Sequence, residues 1–204
     1  MNLWWRLWNN MYSLLLDSSN TSLAVGLEKE GQLVAFTAYE AWQRQSEHMI
    51  PEIDKILNSI HVKREDIDKI ICAIGPGSYT GVRIALTIAK VASLCLEKPI
   101  YPVSSLRILK DDDKPSICLI NARSNRSYFG VYKGNEIIIE DTIKTNDEVK
   151  EYISSHPDYS ICGDARYLGY ENKDTNVGLQ MISLLKVLKK ADNDLAVKPV
   201  YLKD

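Results

Sequence analysis

The stretch KIICAIGPGSYTGVRIALTIAKVASLC, residues 69–95, sets a short apolar run, a glycine-rich turn and a long apolar segment one after another. An unbroken apolar run of this length suits a strand covered on both faces. Gly75 and Gly77 permit backbone angles that side chains forbid, and Ser78 or Thr80 can cap a following helix. Such a turn aims several N–H groups at one point, which is one way to hold a phosphate. It is not a Walker A loop, because no Gly-Lys-Ser/Thr follows. The competing reading is that the glycines let helix and sheet pack closely. Between Val82 and Leu96 the only charged residues are Arg83 and Lys90, so the helix is apolar nearly all round and must be covered on most sides. Either a neighbouring helix covers its outer side, or that side is presented to another protein.

Outward from this stretch the order of elements repeats. YSLLLDSS (12–19) reads as a buried strand, and SLAVGLEKEGQLVAFTAY (22–39) as a hairpin turning at Glu28 to Gly31. Residues 46–60 carry apolar side chains at 49, 50, 53, 56, 57 and 60, the spacing of one helical face. Pro51 should sit in or near the first turn of that helix, or kink it. KPIYPVSS (98–105) is a further strand. The second half offers SICLINA (116–122), a hairpin SYFGVYKGNEIIIEDTI (127–143) turning at Gly134-Asn135, a helix near 146–156, the strand YSICGD (159–164) and a helix near 177–190. A duplicated β-β-β-α-β-α unit is the plan of the actin, sugar-kinase and heat-shock-chaperone ATPase superfamily. The expected fold is therefore α/β with two actin-like (ribonuclease H-like) lobes, the second reduced. Lobe 1, with the partner-binding helices, is placed at 11–110 and lobe 2 at 111–204, with DDDK (111–114) as a solvated linker.

A chain of 204 residues with 45% hydrophobic content can bury a real core. Its 25 Lys+Arg against 27 Asp+Glu leave a net charge of -2, so no overall field draws it to nucleic acid or an anionic membrane. Cys72, Cys95, Cys118 and Cys162 form no C-x-x-C pair, which argues against a zinc or redox motif, and the apolar neighbours of Cys72, Cys118 and Cys162 suit buried thiols in a reducing compartment. No run reaches the roughly 18 apolar residues of a bilayer span, and Arg6, Asn9 and Asn10 interrupt the opening residues, a poor signal peptide. A cytoplasmic location without a membrane partner is expected. In residues 1–10, Trp4, Trp5 and Trp8 join Leu3 and Leu7 in a helical stripe. This is either an interfacial or partner-binding peptide or an extension that is not native, lying upstream of a start at Met11. His48, His61 and His156 are scattered, as surface or capping histidines are.

Five segments, LLLDSSNTSLAVGL (14–27), SEHMIPEIDKIL (46–57), GPGSYTGVRIAL (75–86), NARSNRSYFGVY (121–132) and the tail PVYLKD, together resemble the bacterial TsaB family, within the glycoprotease-like branch of the same superfamily. The resemblance runs from Met11 to the C-terminus. It implies work in forming threonylcarbamoyladenosine at position 37 of tRNAs reading codons that begin with A. Such a protein is a partner subunit that binds a TsaD-like catalytic subunit and, with a TsaE-like ATPase, a larger assembly; ATP and metal belong to those partners, and tRNA is met through the complex. Family members also form homodimers. The contact is built by the two helices of the first lobe, which implies partner-binding roles for Met49, Ile53, Ile56 and Leu57 and for Val82, Leu86, Ala89 and Ser93. Gly75, Gly77 and Ser78 would be a vestigial phosphate turn. Catalytic paralogues hold a metal through an H-x-x-x-H pair whose aligned positions here are Ser105 and Leu109, neither of which ligates as imidazole does. Neither a catalytic nor a metal residue is expected in this chain. Where the family has Asp-Ala-Arg, this chain has Asn121-Ala122-Arg123.

Two other functions compete. A nucleotide-dependent phosphotransferase or carbamoyltransferase would use Asp17-Ser18-Ser19 and the glycine turn, but NARSNRS (121–127) supplies no glycine-rich second phosphate loop. Arg123 and Arg126 could reach a phosphate of a nucleotide or tRNA, or simply solvate a turn. A glycoprotease-type hydrolase needs a metal or a nucleophilic triad that these residues do not assemble.

Overall fold

The computed structural model describes residues 11–202; the apolar stripe of residues 1–10 lies outside them. The first lobe is built from β1 (Tyr12–Asp17), β2 (Ser22–Lys29), β3 (Gln32–Glu40), α1 (Gln45–Ser59), β4 (Ile67–Ala73), α2 (Tyr79–Leu96) and β5 (Ile100–Val103). Its sheet has the order β3-β2-β1-β4-β5, with β1, β4 and β5 parallel. The β2–β3 hairpin turns through Glu30 and Gly31, with φ of 52° and 80°. Positive φ at both residues suits a two-residue turn between twisted strands.

Alternation along β1 and β4 sorts the core into two layers. Leu14, Leu16, Ile70 and Cys72 face α1 and α2. Leu15, Ile71 and Ala73 face the other way. A sheet this apolar on both sides needs two covers, and α1 with α2 supplies only one.

The second lobe holds β6 (Ser116–Arg123), β7 (Arg126–Lys133), β8 (Glu136–Thr145), α3 (Asn146–Ser155) and β9 (Ser160–Gly163), in the order β8-β7-β6-β9. Thr145 and Glu148 form a capping box at the start of α3, and Val149 and Ile153 seat it on Ile117, Leu119, Phe129 and Val131. The two-lobed plan with a reduced second lobe is therefore present.

Three details depart from the sequence expectation. The last helix, α4 (Val177–Leu184), is shorter than 177–190 and belongs spatially to the first lobe. Its Met181 and Leu184 pack with Leu15, Ile71, Ala73 and Val103, supplying the missing cover. The chain then stays with lobe 1: Ala191 N–H donates to Ile100 O at 2.8 Å and Val200 N–H to Ile74 O at 2.7 Å. A division at 110/111 thus separates the two sheets but misplaces the C-terminal segment.

The linker is the second departure. Lys110 is fully buried and donates to Gln180 Oε1 at 2.7 Å, to Ser183 Oγ at 3.2 Å and to Asp112. Asp111, also buried, accepts from Ser160 Oγ at 2.6 Å and pairs with Lys173 at 2.7 Å. Burial pushes the Asp111 carboxyl up, but hydrogen bonds from Lys173, Ser160 and the Asp113 N–H outweigh it and hold it below the usual range. Only Asp112, Asp113 and Lys114 are solvated; a charge run read without its partners looks more exposed than it is. Third, Pro51 is the seventh residue of α1, beyond the first turn, on the exposed side. Cys72, Cys118 and Cys162 are buried as expected, and Cys95 is exposed.

Candidate functional site

The glycine turn between β4 and α2 packs closely against the protein's own backbone on the side where side chains would stand. A Cβ added to Gly77 would lie 2.1 Å from Ser19 O, one on Gly81 2.0 Å from Ser18 O, and one on Gly75, with φ +105°, 2.6 Å from Val200 O. Ser78 N–H donates to Ser19 O at 2.7 Å, and Ser18 Oγ donates to Gly81 O at 2.7 Å. Ser78 Oγ caps α2 by accepting from Gly81 N–H at 3.2 Å. Ser105, one of the two positions tested for metal ligation, clamps the turn instead: Gly75 N–H donates to its Oγ at 3.0 Å, and its own N–H donates to Gly75 O at 2.9 Å.

These contacts give Gly75, Gly77 and Gly81 a packing role, while Gly77 to Gly81 also line the cleft between the lobes. The turn after β1, which a phosphotransferase would aim at a nucleotide, is packed into the glycine turn. Asp17 is buried and accepts from Ser19 N–H at 2.8 Å, and burial pushes its carboxyl above the usual range. Among the described residues no group of three or more His, Cys, Asp and Glu side chains could hold a metal. His48 meets Tyr39 edge-on and His156 Nδ1 lies 2.9 Å from Tyr152 O.

The helix pair requires a second correction. Of the eight residues expected at a docking surface, Met49, Ile56, Leu57, Val82, Leu86, Ala89 and Ser93 are buried inside the chain, and Ile53 is half-buried. They fasten α1 and α2 to the sheet. The exposed apolar residues of the two helices are a different set: Ile50 on α1 is 54% exposed, and on α2 Val91 is 56% and Leu94 65% exposed, with Ile84 and Ile88 half-buried along the same helix. Ile84, Ile88, Val91 and Cys95 repeat at i, i+4, i+7 and i+11, a second stripe that was legible but hidden by the first. α2 is the single described helix long and apolar enough to cross a membrane. Its inner stripe packed on β4 and α1 accounts for that composition as a core helix.

Where the lobes meet, a cleft of about 570 Å³ opens between the start of α2, the β3–α1 loop and the β6–β7 turn. Trp42 stands in its wall, 52% exposed. From the other lobe, the Arg123 guanidinium lies 5.8 Å from the Trp42 ring centroid. Arg123, Ser124 and Asn125 all have positive φ, at 63°, 50° and 59°, and the β6–β7 register shifts between Asn121 and Arg123. A bulge of this kind re-aims a side chain; no sequence signal announced it. At the start of α2, Tyr79 stacks on Tyr201 of the C-terminal segment with centroids 5.0 Å apart.

Comparison with known proteins agrees with this architecture. Residues 39–163 match the family described as TsaD, tRNA N6-adenosine threonylcarbamoyltransferase. The chain is 34% identical over 137 residues to the tRNA threonylcarbamoyladenosine biosynthesis protein TsaB of Bacillus subtilis, an alignment that covers 65% of this chain and 60% of that relative. It is 23% identical over 224 residues to the Haemophilus influenzae protein of the same name, covering 96% of this chain and 94% of the other. Among solved structures, YeaZ from Pseudomonas aeruginosa superposes with a TM-score of 0.78 at 21% identity, over 94% of this chain and 100% of that one. The fold, the matched stretch and these relatives lead to one conclusion: the chain belongs to the actin-like family of tRNA threonylcarbamoyladenosine biosynthesis proteins that the TsaD description and the TsaB relatives define.

Proposed function

We propose that this chain is a non-catalytic partner subunit in the formation of threonylcarbamoyladenosine at position 37 of tRNAs reading codons that begin with A. It docks a TsaD-like catalytic subunit through the outer sides of α1 and α2. The observation that carries the reading is the solvent-facing apolar set Ile50, Val91 and Leu94 on helices whose inner sides are already used by the core. Apolar surface left uncovered on a monomer marks an interaction site. The same side would serve a homodimer, so homodimer and heterodimer compete for it.

The packing role of the glycines supports the non-catalytic half of the reading. Ser18, Ser19 and Val200 backbone atoms lie against Gly81, Gly77 and Gly75, and the reading assigns ATP and metal to the catalytic subunit and to a TsaE-like ATPase. A net charge of -2 supports tRNA contact made chiefly through the complex. Reconstitution tests this directly, using the TsaD-like and TsaE-like proteins of the same organism with tRNA and threonylcarbamoyl donor. Modification should require this chain, and the Asp17→Asn variant should support it as well as the wild type. Sustained ATP turnover by the isolated chain would contradict the reading.

A further inference from the structure

We propose that the segment Leu3 to Trp8 of this same chain covers the outer apolar side of α2 at its C-terminal end, as a built-in competitor for the docking partner. The competition rests on the docking reading; the cover does not. Read as a helix, the segment sets Leu3, Trp4, Leu7 and Trp8 on one side and Asn2, Arg6, Asn9 and Asn10 on the other, with Trp5 at the border. Three of the chain's four tryptophans stand in it, and indoles dominate the energetics of the contacts they enter. Such a stripe needs an apolar surface to lie on.

The topology delivers the segment to that surface. α2 runs back from the end of β4 to the start of β5, and β1 lies parallel to β4 with Tyr12 paired to Ile67. The last turns of α2 therefore lie level with Met11, where the segment joins the sheet. Tyr12 packs in the layer that also holds Ile60, just past the end of α1, and Leu96, the last residue of α2. Outside this layer Val91 and Leu94 are more than half exposed, and Cys95 is exposed beside them. Residues 1–10 span about 15 Å as a helix and up to about 35 Å extended, against a width of roughly 10–12 Å for α2, so the stripe reaches all three. Charge agrees with this placement. α2 has no basic residue in its last turn and is followed by the exposed Glu97, and a helix C-terminus attracts cations. Arg6 is the only charged side chain among residues 2–10.

Cys95 reports the cover directly, because it is exposed while Cys72, Cys118 and Cys162 are buried. The measurement is the rate at which N-ethylmaleimide modifies Cys95 in the full native chain, followed by mass spectrometry. The full-length Trp4→Ser/Leu7→Ser/Trp8→Ser variant and the Val91→Ser/Leu94→Ser variant should each react at least about fivefold faster than wild type, since each removes one half of a local closure. The rates should not change with protein concentration, and a retained urea transition shows that each variant keeps the fold. A TsaD-like protein should bind the tryptophan variant more tightly by the same factor, because the open fraction scales apparent affinity. Equal rates in wild type and the tryptophan variant overturn the proposal. So does release by the tryptophan variant alone, which puts the segment elsewhere, and so does protection that grows with concentration, which gives the cover to a second copy. Faster modification of both variants with unchanged partner affinity upholds the cover and removes the docking reading instead.

Discussion

On the inner side of α2, Val82, Ala85, Leu86 and Ala89 are buried; on the outer side, Val91 and Leu94 are exposed and Ile84 and Ile88 half-exposed. The two sets are equally apolar. What separates them is what each meets: the inner set has β4 and α1 beneath it, while the outer set is covered only in part, Ile88 at the edge of the core and Val91 and Leu94 largely in solvent. Apolar composition therefore gives the need for cover, and the sheet geometry decides which side is left for a partner.

The largest way to break this comparison is to charge the inner side. Leu86→Asp places an unpaired carboxylate in the core and should cost about 4 kcal/mol or more, read as loss of the cooperative urea transition. Next is the seat that positions α2. Gly77→Ala drives a methyl into Ser19 O, now 2.1 Å from where that carbon would stand, and should cost about 2–3 kcal/mol in the same measurement.

Asp17 sharpens the account of that seat with an effect of opposite sign. Burial raises its carboxyl above the ordinary value, so the unfolded chain ionises first as pH rises, and stability falls until the folded carboxyl also ionises. Asp17→Asn should therefore melt higher than wild type at neutral pH, with the difference closing towards about pH 3, where both states hold the proton. A catalytic Asp17 would instead make this substitution harmful to modification. Smallest is the effect of charging the outer side: Val91→Asp with Leu94→Asp should change monomer stability by no more than about 0.5 kcal/mol per site, in the same urea titration that reports the Leu86→Asp loss.

Much of the fold was legible because periodicity reports local structure. The unbroken run Ile70 to Ile74, the glycine turn and the two hairpins read as they fold. The second cover of the first sheet was half-legible: a strand apolar on both faces demands two layers, but nothing near residue 177 says that Met181 and Leu184 cross to the first lobe. The docking side failed for a related reason. On a helix apolar all round, spacing yields both stripes, and only the location of the sheet tells Leu86 from Leu94. Asp111, read as part of a solvated linker, was misjudged because its partners, Ser160 and Lys173, lie far along the chain. The cleft was least legible, since Trp42 and Arg123 come from different lobes and a backbone irregularity brings them together.

The most direct test of the central claim is calorimetric titration of a TsaD-like protein from the same organism into the wild-type chain and into the Val91→Asp/Leu94→Asp variant. The account predicts a specific complex with the wild type and an affinity at least about 30-fold weaker for the variant, the loss expected when interface anchors are removed, with the melting temperature unchanged. Equal affinity for both proteins would contradict it and take the docking surface away from the outer side of α2.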